Sequence, residues 1–326
     1  MKSLSCRSVD RRGALSLLGA AAALPALRAP AAAQTDLTIR VAYIPFEASA
    51  QLFYAQEAGL WSKAGLNVEL QPNPFGAAIA AAVSSNAIDV GYATIMTIAS
   101  AHAKKLPFTV IAAANAFDVS QPAGGMLMAA SKDVRKGVDL NGKTIGSPGL
   151  NTLGEYGVRA WVDAGGGDAS TLHFVEIPFS EMPAALAGGR IDAAFVAEPF
   201  LTQAKKLGVH TVAVEMDAVA NSFLVAGWFT TTAWANAHQR AVALFAQSMR
   251  DAVVWAQQNP AKLPAILAKY LKVDPAMEAT MPRTYFAKTL DAAQIQPGID
   301  LTAKYAKFPT FPAAEITYAP PRRRLL

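Results

Sequence analysis

Apolar and polar positions alternate over residues 37–44 (LTIRVAYI) until the segment becomes uniformly apolar, the pattern of a strand running into a covered sheet. Residues 52–61 have helix length, 67–70 form a second short strand, 76–85 an alanine-rich helix and 88–93 a third strand. Further strands are predicted at 109–113, 126–130, 144–147, 174–177, 191–196 and 211–214, with helices between them. This order predicts an α/β fold with parallel sheets and helical crossovers. After residue 214 the style changes. Residues 223–230 read as one strand, and the remainder is mainly helical. Over 239–258, Val242, Phe245, Ala246, Met249, Val253 and Ala256 share one face, and Asn259-Pro260 ends the helix. Helices at 261–271 and 275–281 follow, and these terminal helices are expected to return over the first lobe.

Two stretches look like copies of one helix–turn–strand unit. AAAVSSNAIDVGYATI aligns at an offset of 103 residues with MPAALAGGRIDAAFVAEPF, placing Ile88-Asp89 on Ile191-Asp192. Asn86 and Gly188-Gly189 suit the positive φ that ends a helix, and each aspartate opens a strand. Two pseudo-equivalent lobes of ordinary domain size follow from this repeat.

The first 33 residues change how the charge is read. They hold a basic stretch with Lys2, Arg7, Arg11 and Arg12, an uncharged run over 13–27 and the small residues Ala31-Ala32-Ala33, the order of a signal peptide. The run is too short for a permanent anchor. Arg11-Arg12 ahead of it resembles a twin-arginine export signal. Residues 1–33 carry Lys2, Arg7, Arg11, Arg12 and Arg28 against Asp10, four of the five net positive charges, so one remains after removal. The terminal Arg322-Arg323-Arg324 reads as a solvated tail, and nothing argues for nucleic acid. The single cysteine, Cys6, lies in the leader, so the processed chain has no disulfide and must fold by packing alone.

Several longer stretches together resemble a known family. These are RVAYIPFEASAQLFYAQEAGLWSKAGLNVEL, NAIDVGYATIMT, DLNGKTIGSPGLNTLGEYGVRAWVDAGG and GGRIDAAFVAEPFLTQAKKLG. The chain resembles the substrate-binding proteins of nitrate-, taurine- and sulfonate-type ABC importers over about residues 38–274. The resemblance implies a type II periplasmic binding fold: two Rossmann-like lobes, 34–114 plus 218–326 and 115–217, joined by two crossing strands with a cleft between them. It also implies a periplasmic monomer that captures a small solute, performs no chemistry, needs no cofactor or metal and delivers to a membrane permease with its ATPase.

Ligands of open parallel sheets bind beyond the carboxyl ends of the strands, where helix N-termini present unpaired N–H groups. The candidate contacts at those ends are Phe46, Ser49, Gln51, Phe75, Thr94, Asn115, Asn151, Thr152, Glu155 and Glu198. Asn151 or Thr152 is expected to cap the following helix, and Phe46, Phe75 and Trp228 are candidates for an apolar wall. None of the strand-end segments holds Arg or Lys, whereas Glu47, Glu155, Glu181 and Glu198 are acidic. A sulfonate or carboxylate would rely on helix N-termini, with Glu198 or Glu47 taking an ammonium group, and an uncharged aromatic or heterocyclic solute fits as well. Lys104, Lys105 and Arg159 remain candidates near helix ends.

The rival functions are an enzyme and a ligand-binding partner of a membrane sensor. His102, His173, His210 and His238 are scattered without metal-ligand spacing, and Gly165-Gly166-Gly167 reads as a turn after a helix rather than a phosphate cradle. Some proteins of this fold make a pyrimidine precursor with dedicated histidine and cysteine residues, and that cysteine motif is absent here. A sensor partner would use the same cleft.

Overall fold

The computed structural model describes residues 37–121 and 124–321. The predicted leader, Cys6 and Arg322-Arg323-Arg324 lie outside the described residues. The twelve strands among the described residues are β1 (Leu37–Tyr43), β2 (Leu66–Pro72), β3 (Val90–Thr94), β4 (Phe108–Ala113), β5 (Ala116–Asp118), β6 (Gly125–Ala129), β7 (Thr144–Ser147), β8 (His173–Glu176), β9 (Ala193–Ala197), β10 (His210–Ala213), β11 (Ser222–Leu224) and β12 (Ala226–Thr231).

They form two five-stranded sheets, in the orders β2-β1-β3-β12-β4 and β10-β6-β9-β7-β8, and a two-stranded ribbon of β5 and β11. The α/β expectation holds, with a correction to strand direction. β12 runs antiparallel to both β3 and β4, and β6 runs antiparallel to β9 and β10. The chain leaves the first sheet through β5 and enters the second as β6, then returns through β11 and re-enters the first as β12. Each entry comes from the end where the parallel strands finish, so the arriving strand runs against its neighbours.

Other predicted elements are redrawn. The helix expected over 52–61 is two, Ala50–Glu57 and Leu60–Ala64, because Gly59 between them is left-handed at φ 65°. The single strand at 223–230 divides into β11 and β12. The helix Ala292–Ala306 was not singled out, since Pro297 inside it masks the periodicity. The helix Gln239–Gln258 matches its predicted bounds and buries the predicted face. Its Phe245 stacks on Trp61 at 5.7 Å and meets Trp228 edge-on at 6.0 Å. That helix covers the first sheet, as expected of the terminal helices. Ala292–Ala306 also reaches the other half, where Tyr305 donates its hydroxyl to Asp163 at 2.7 Å.

The internal repeat has a physical basis. Asn86 has φ 59° and Gly189, its equivalent 103 residues on, has φ 65°. Each turn delivers an aspartate to the same task. Asp89 N–H donates to Arg40 O at 3.0 Å, and its Oδ2 accepts the Arg40 backbone N–H at 2.8 Å. Asp192 N–H donates to Thr144 O at 2.9 Å, and its Oδ2 accepts the Thr144 N–H at 2.8 Å. In both sheets the carboxylate therefore fixes the register of a parallel neighbour, β1 or β7. Val90 opposite Val41 and Ala193 opposite Ile145 are the matching pairs, and they lie in two separate sheets.

The two clamps differ in strength. Asp89 adds a two-pronged bond to the Arg40 guanidinium, 3.0 Å to Nε and 2.7 Å to Nη2, whereas Asp192 meets Lys143 at 3.4 Å and is more exposed. Asp89→Ala is therefore expected to cost about 2–3 kcal/mol and Asp192→Ala about 1 kcal/mol. Urea denaturation of both variants checks the ranking, and equal losses would contradict it.

Candidate ligand-binding site

A pocket enclosing about 880 Å³ of empty space, its solvent-open mouth included, lies where the carboxyl ends of both sheets face the β5–β11 ribbon. The first sheet contributes Ile44, Phe46, Tyr92 and Thr94, and the second contributes Gly125, Phe195 and Ala197. The ribbon adds Ala116, Phe117 and Asp118, while Thr284 and Tyr285 arrive from the C-terminal segment.

One wall is aromatic and crosses from sheet to sheet. β1 is followed by an extended Phe46 (φ −151°, ψ 172°) and a tight turn, Glu47–Ser49, which leads the chain into the helix Ala50–Glu57. This conformation presents the Phe46 ring to the pocket, edge-on to Tyr92 at 5.5 Å and stacked on Phe179 at 5.3 Å with 16° between planes. Phe179 in turn meets Phe195 edge-on at 5.9 Å. Gly124 and Gly125 make room for the opposite wall: a Cβ on Gly124 would stand 2.8 Å from Thr284 Oγ1, and one on Gly125 would stand 2.7 Å from the Phe195 ring.

Polar groups are few and mostly oriented by neighbours. Asn115 Oδ1 accepts the Tyr92 hydroxyl at 2.6 Å, which leaves the Asn115 amide N–H groups for the cavity. Thr94 caps the helix Ile95–Ala103 by accepting Thr97 N–H at 3.2 Å, and both hydroxyls line the pocket. At the start of the helix Leu153–Ala164, the N–H groups of Thr152, Leu153 and Gly154 donate to no carbonyl or side chain among the described residues. All three residues line the pocket. Among the described residues the single charged one in the lining is Asp118, whose carboxylate stays below its usual range through hydrogen bonds from the Ser120 hydroxyl and N–H.

Of the ten residues proposed from sequence, Phe46, Thr94, Asn115 and Thr152 line this pocket together. The other six lie beside it. Ser49 is buried at the start of the helix Ala50–Glu57, with no hydrogen-bond partner for its hydroxyl among the described residues. Gln51 is committed to the core, accepting Trp228 Nε1–H at 3.0 Å and donating to Ala113 O at 3.4 Å. Trp228 is accordingly a fully buried core residue and not part of the apolar wall. Phe75 is half-buried and precedes the helix whose first residue, Gly76, borders the cavity.

The expected helix cap also needs correction. Thr152 holds the N-cap position, but its hydroxyl donates back to Gly149 O at 2.7 Å instead of capping the helix. Asn151, at φ 60°, places its carbonyl on the Thr97 hydroxyl at 3.3 Å, and its side chain accepts from Tyr156 Oη at 2.7 Å. Glu155 reaches back to Asn151 N–H at 2.9 Å and pairs with Arg159 at 3.0 Å, so Arg159 is engaged there and over the Phe174 ring. Glu198 caps the helix Phe200–Lys206 through Thr202 N–H at 3.0 Å and Thr202 Oγ1 at 2.9 Å. Lys104 and Lys105 do not border the pocket.

Sequence reasoning missed Gly124, Gly125, Tyr92, Thr284 and Tyr285. The Gly-Gly pair ahead of an apolar strand was a readable sign of close backbone approach. Thr284 carried no local signal, because only the fold brings it to the cavity.

Behind Thr284 lies a buried acidic junction. Glu47 carries a fully buried carboxyl that accepts Thr284 N–H at 3.0 Å together with the Thr284 hydroxyl. Glu47 N–H donates to Glu198 O at 3.1 Å, tying the loop after β1 to the end of β9. Glu278 and Arg283 pair nearby at 3.1 Å. Burial pushes Glu47 up to about 8, and raises Glu198 and Glu278 as well.

The family model described as NMT1/THI5 like matches residues 47–263. The chain belongs to this NMT1/THI5-like family. A formylaminopyrimidine-binding protein of Halalkalibacterium halodurans is 30% identical over 144 residues, covering 44% of this chain and 41% of that protein. The chain thus spans less than half the length of that relative. Among solved structures, the ligand-binding component of an ABC-type import system from Staphylococcus aureus, with zinc bound, superposes with a TM-score of 0.73 at 17% identity, covering 86% of this chain and 96% of that one. The periplasmic aliphatic sulphonate binding protein of Escherichia coli gives a TM-score of 0.69 at 16% identity, with 87% and 92% covered. The family member described here therefore has the periplasmic binding protein fold.

Two buried acids make its stability pH-dependent. Glu215, beside the pocket residue Met216, is fully buried with neither carboxyl oxygen bonded to a partner side chain, and burial raises it to about 8. Both Glu47 and Glu215 start from 4.5 in the unfolded chain, so folding takes up protons between about pH 4.5 and 8. Stability is then greatest below that window, falls as pH rises through it and levels off above about 8. Glu215→Gln, which removes one of the two groups, is expected to flatten the decline by a few kcal/mol, read from urea midpoints at about pH 5 and pH 8.5. An unaltered slope would show that Glu215 does not titrate in this range.

Proposed function

We propose that this protein is the solute-capturing component of an ABC importer, working in the periplasm and handing a small planar, uncharged aromatic solute to a permease and its ATPase. The observation that carries the ligand class is the pocket lining: Phe46, Phe179, Phe195 and Tyr92 form a continuous aromatic wall, and among the described residues no Arg or Lys borders the cavity. A multiply charged anion would enter that lining without a counter-ion, at a desolvation cost the site does not offset. A ring with acceptor atoms on its edge is better matched, since the N–H groups of Thr152, Leu153 and Gly154 and the Asn115 amide supply donors.

The relative named for binding a formylaminopyrimidine supports this reading. The three unpaired N–H groups also favour a second reading, in which one sulfonate or carboxylate group of a small organic acid docks on the helix N-terminus. In either case the lobes 34–114 plus 218–326 and 115–217 close around the ribbon of β5 and β11, and no bond is made or broken. Neither an enzyme nor a sensor partner gains a specific observation. Four pocket residues, Phe46, Thr94, Asn115 and Thr152, are the proposed contacts from the sequence set, joined by Phe179 and Thr284.

Thermal unfolding against pyrimidines, other neutral heteroaromatics, sulfonates, nitrate and carboxylates tests the proposal. A true ligand at a hundredfold over its Kd stabilises by about 2.7 kcal/mol. The expected hits are neutral heteroaromatics, and Phe46→Ala is expected to weaken them by about tenfold or more. Stabilisation by dianions alone would reject the ligand class, and turnover of a hit would reject a binding protein.

A further inference from the structure

Thr284 is the one hydroxyl of the pocket wall that also bonds a buried carboxyl group, and the two groups share a single polarity. A hydroxyl has one proton and two lone pairs. If Glu47 is ionised, its oxygens only accept, so the Thr284 proton must turn toward Glu47 and the hydroxyl offers the cavity only lone pairs. If Glu47 is protonated, the acid O–H donates to Thr284 Oγ1, and the Thr284 proton is released toward the cavity. The backbone N–H of Thr284 can bond Glu47 in both states, so the exchange needs no movement of the chain.

We propose that Glu47 is a specificity-determining residue that acts through Thr284, its proton deciding whether the pocket wall donates or accepts a hydrogen bond. The inference rests on the proposed ligand site, but its first half concerns only two residues of the free protein.

The surroundings favour a group that changes state near neutral pH. Five titratable or charged groups face Glu47: Tyr54 from the helix Ala50–Glu57, Tyr92 from β3, Glu198 from the end of β9, Glu278 from the helix Pro275–Glu278, and Arg283. Arg283 is the single cation among three carboxyls, and its guanidinium is spent on Glu278, on both the side chain and the backbone oxygen. Among the described residues no lysine or histidine neutralises Glu47 directly. Burial first, and then the neighbouring acids Glu278 and Glu198, hold the proton on, while the Thr284 backbone N–H and the Arg283 charge work against it.

Infrared spectra of the ligand-free protein between about pH 6 and pH 10 test the first half. The buried carboxylic-acid carbonyl absorption at low pH, which Glu47 and Glu215 share, is expected to contain a Glu47 component, isolated as the difference between wild type and Glu47→Gln, that is lost with a midpoint near 8 and displaced in frequency in Thr284→Val. A Glu47 band missing at pH 6, or one that Thr284→Val leaves unchanged, overturns the proposal. The second half is read with two flat probes, quinoxaline with acceptors only and indole with an N–H donor. On raising the pH across the midpoint, the ratio of quinoxaline to indole affinity should fall by about threefold to tenfold in the wild type. It should stay constant in Glu47→Gln and in Thr284→Val. A ratio that is flat in the wild type, with both probes bound, also overturns the proposal. Failure of both probes to bind rejects the aromatic-ligand reading instead, and the infrared titration still decides the Glu47–Thr284 coupling.

Discussion

A carboxyl group taken out of water must find partners inside the protein, and the architecture around the cleft follows from how Glu47 finds them. Three segments far apart in the chain meet at this group. The loop after β1 supplies the acid, the C-terminal segment supplies both Thr284 donors, and the end of β9 supplies the carbonyl that receives Glu47 N–H. Because each segment belongs to a different part of the chain, satisfying one buried group fixes where the two sheets and the terminal helices stand relative to the pocket. The aromatic wall depends on the same loop, since Phe46 immediately precedes Glu47 and reaches Phe179 across the cleft.

Two kinds of charge management separate framework from site. In the framework, Asp89 and Asp192 bond backbone N–H groups and pair with Arg40 and Lys143. Around the pocket, Glu47, Glu198, Glu215 and Glu278 are buried, and burial favours the neutral form of each, with the Arg283 guanidinium near the first, second and fourth. The cavity therefore presents hydrogen-bonding edges and aromatic faces with little net charge. That character is the basis for proposing a planar neutral solute rather than the anions that the resemblance implies.

Much of the fold was legible because its signals are local. The strand and helix alternation, the amphipathic face of Gln239–Gln258 and the repeat of Ile-Asp after a left-handed turn all depend on neighbours within a few residues. The site was legible in part for the same reason: strand ends announce themselves, so Phe46, Thr94, Asn115 and Thr152 could be named. Gln51, Glu155 and Glu198 sit at equally suggestive positions, yet each is spent on a bond that secures local structure. A strand end in the sequence says that a residue is near the cleft, but not which way its side chain turns.

The sequence by itself determined the class of fold, the repeated Ile-Asp unit and the scarcity of cations at the strand ends, because these are properties of composition and short-range pattern. Tertiary structure alone decided the direction of β6 and β12, the placement of Trp228 in the core and the arrival of Thr284 against Glu47, 237 residues away. Contacts of that span are set by how packed layers cross, and the energy that selects them comes from burial shared among many residues. No stretch of chain short enough to show a pattern contains that information.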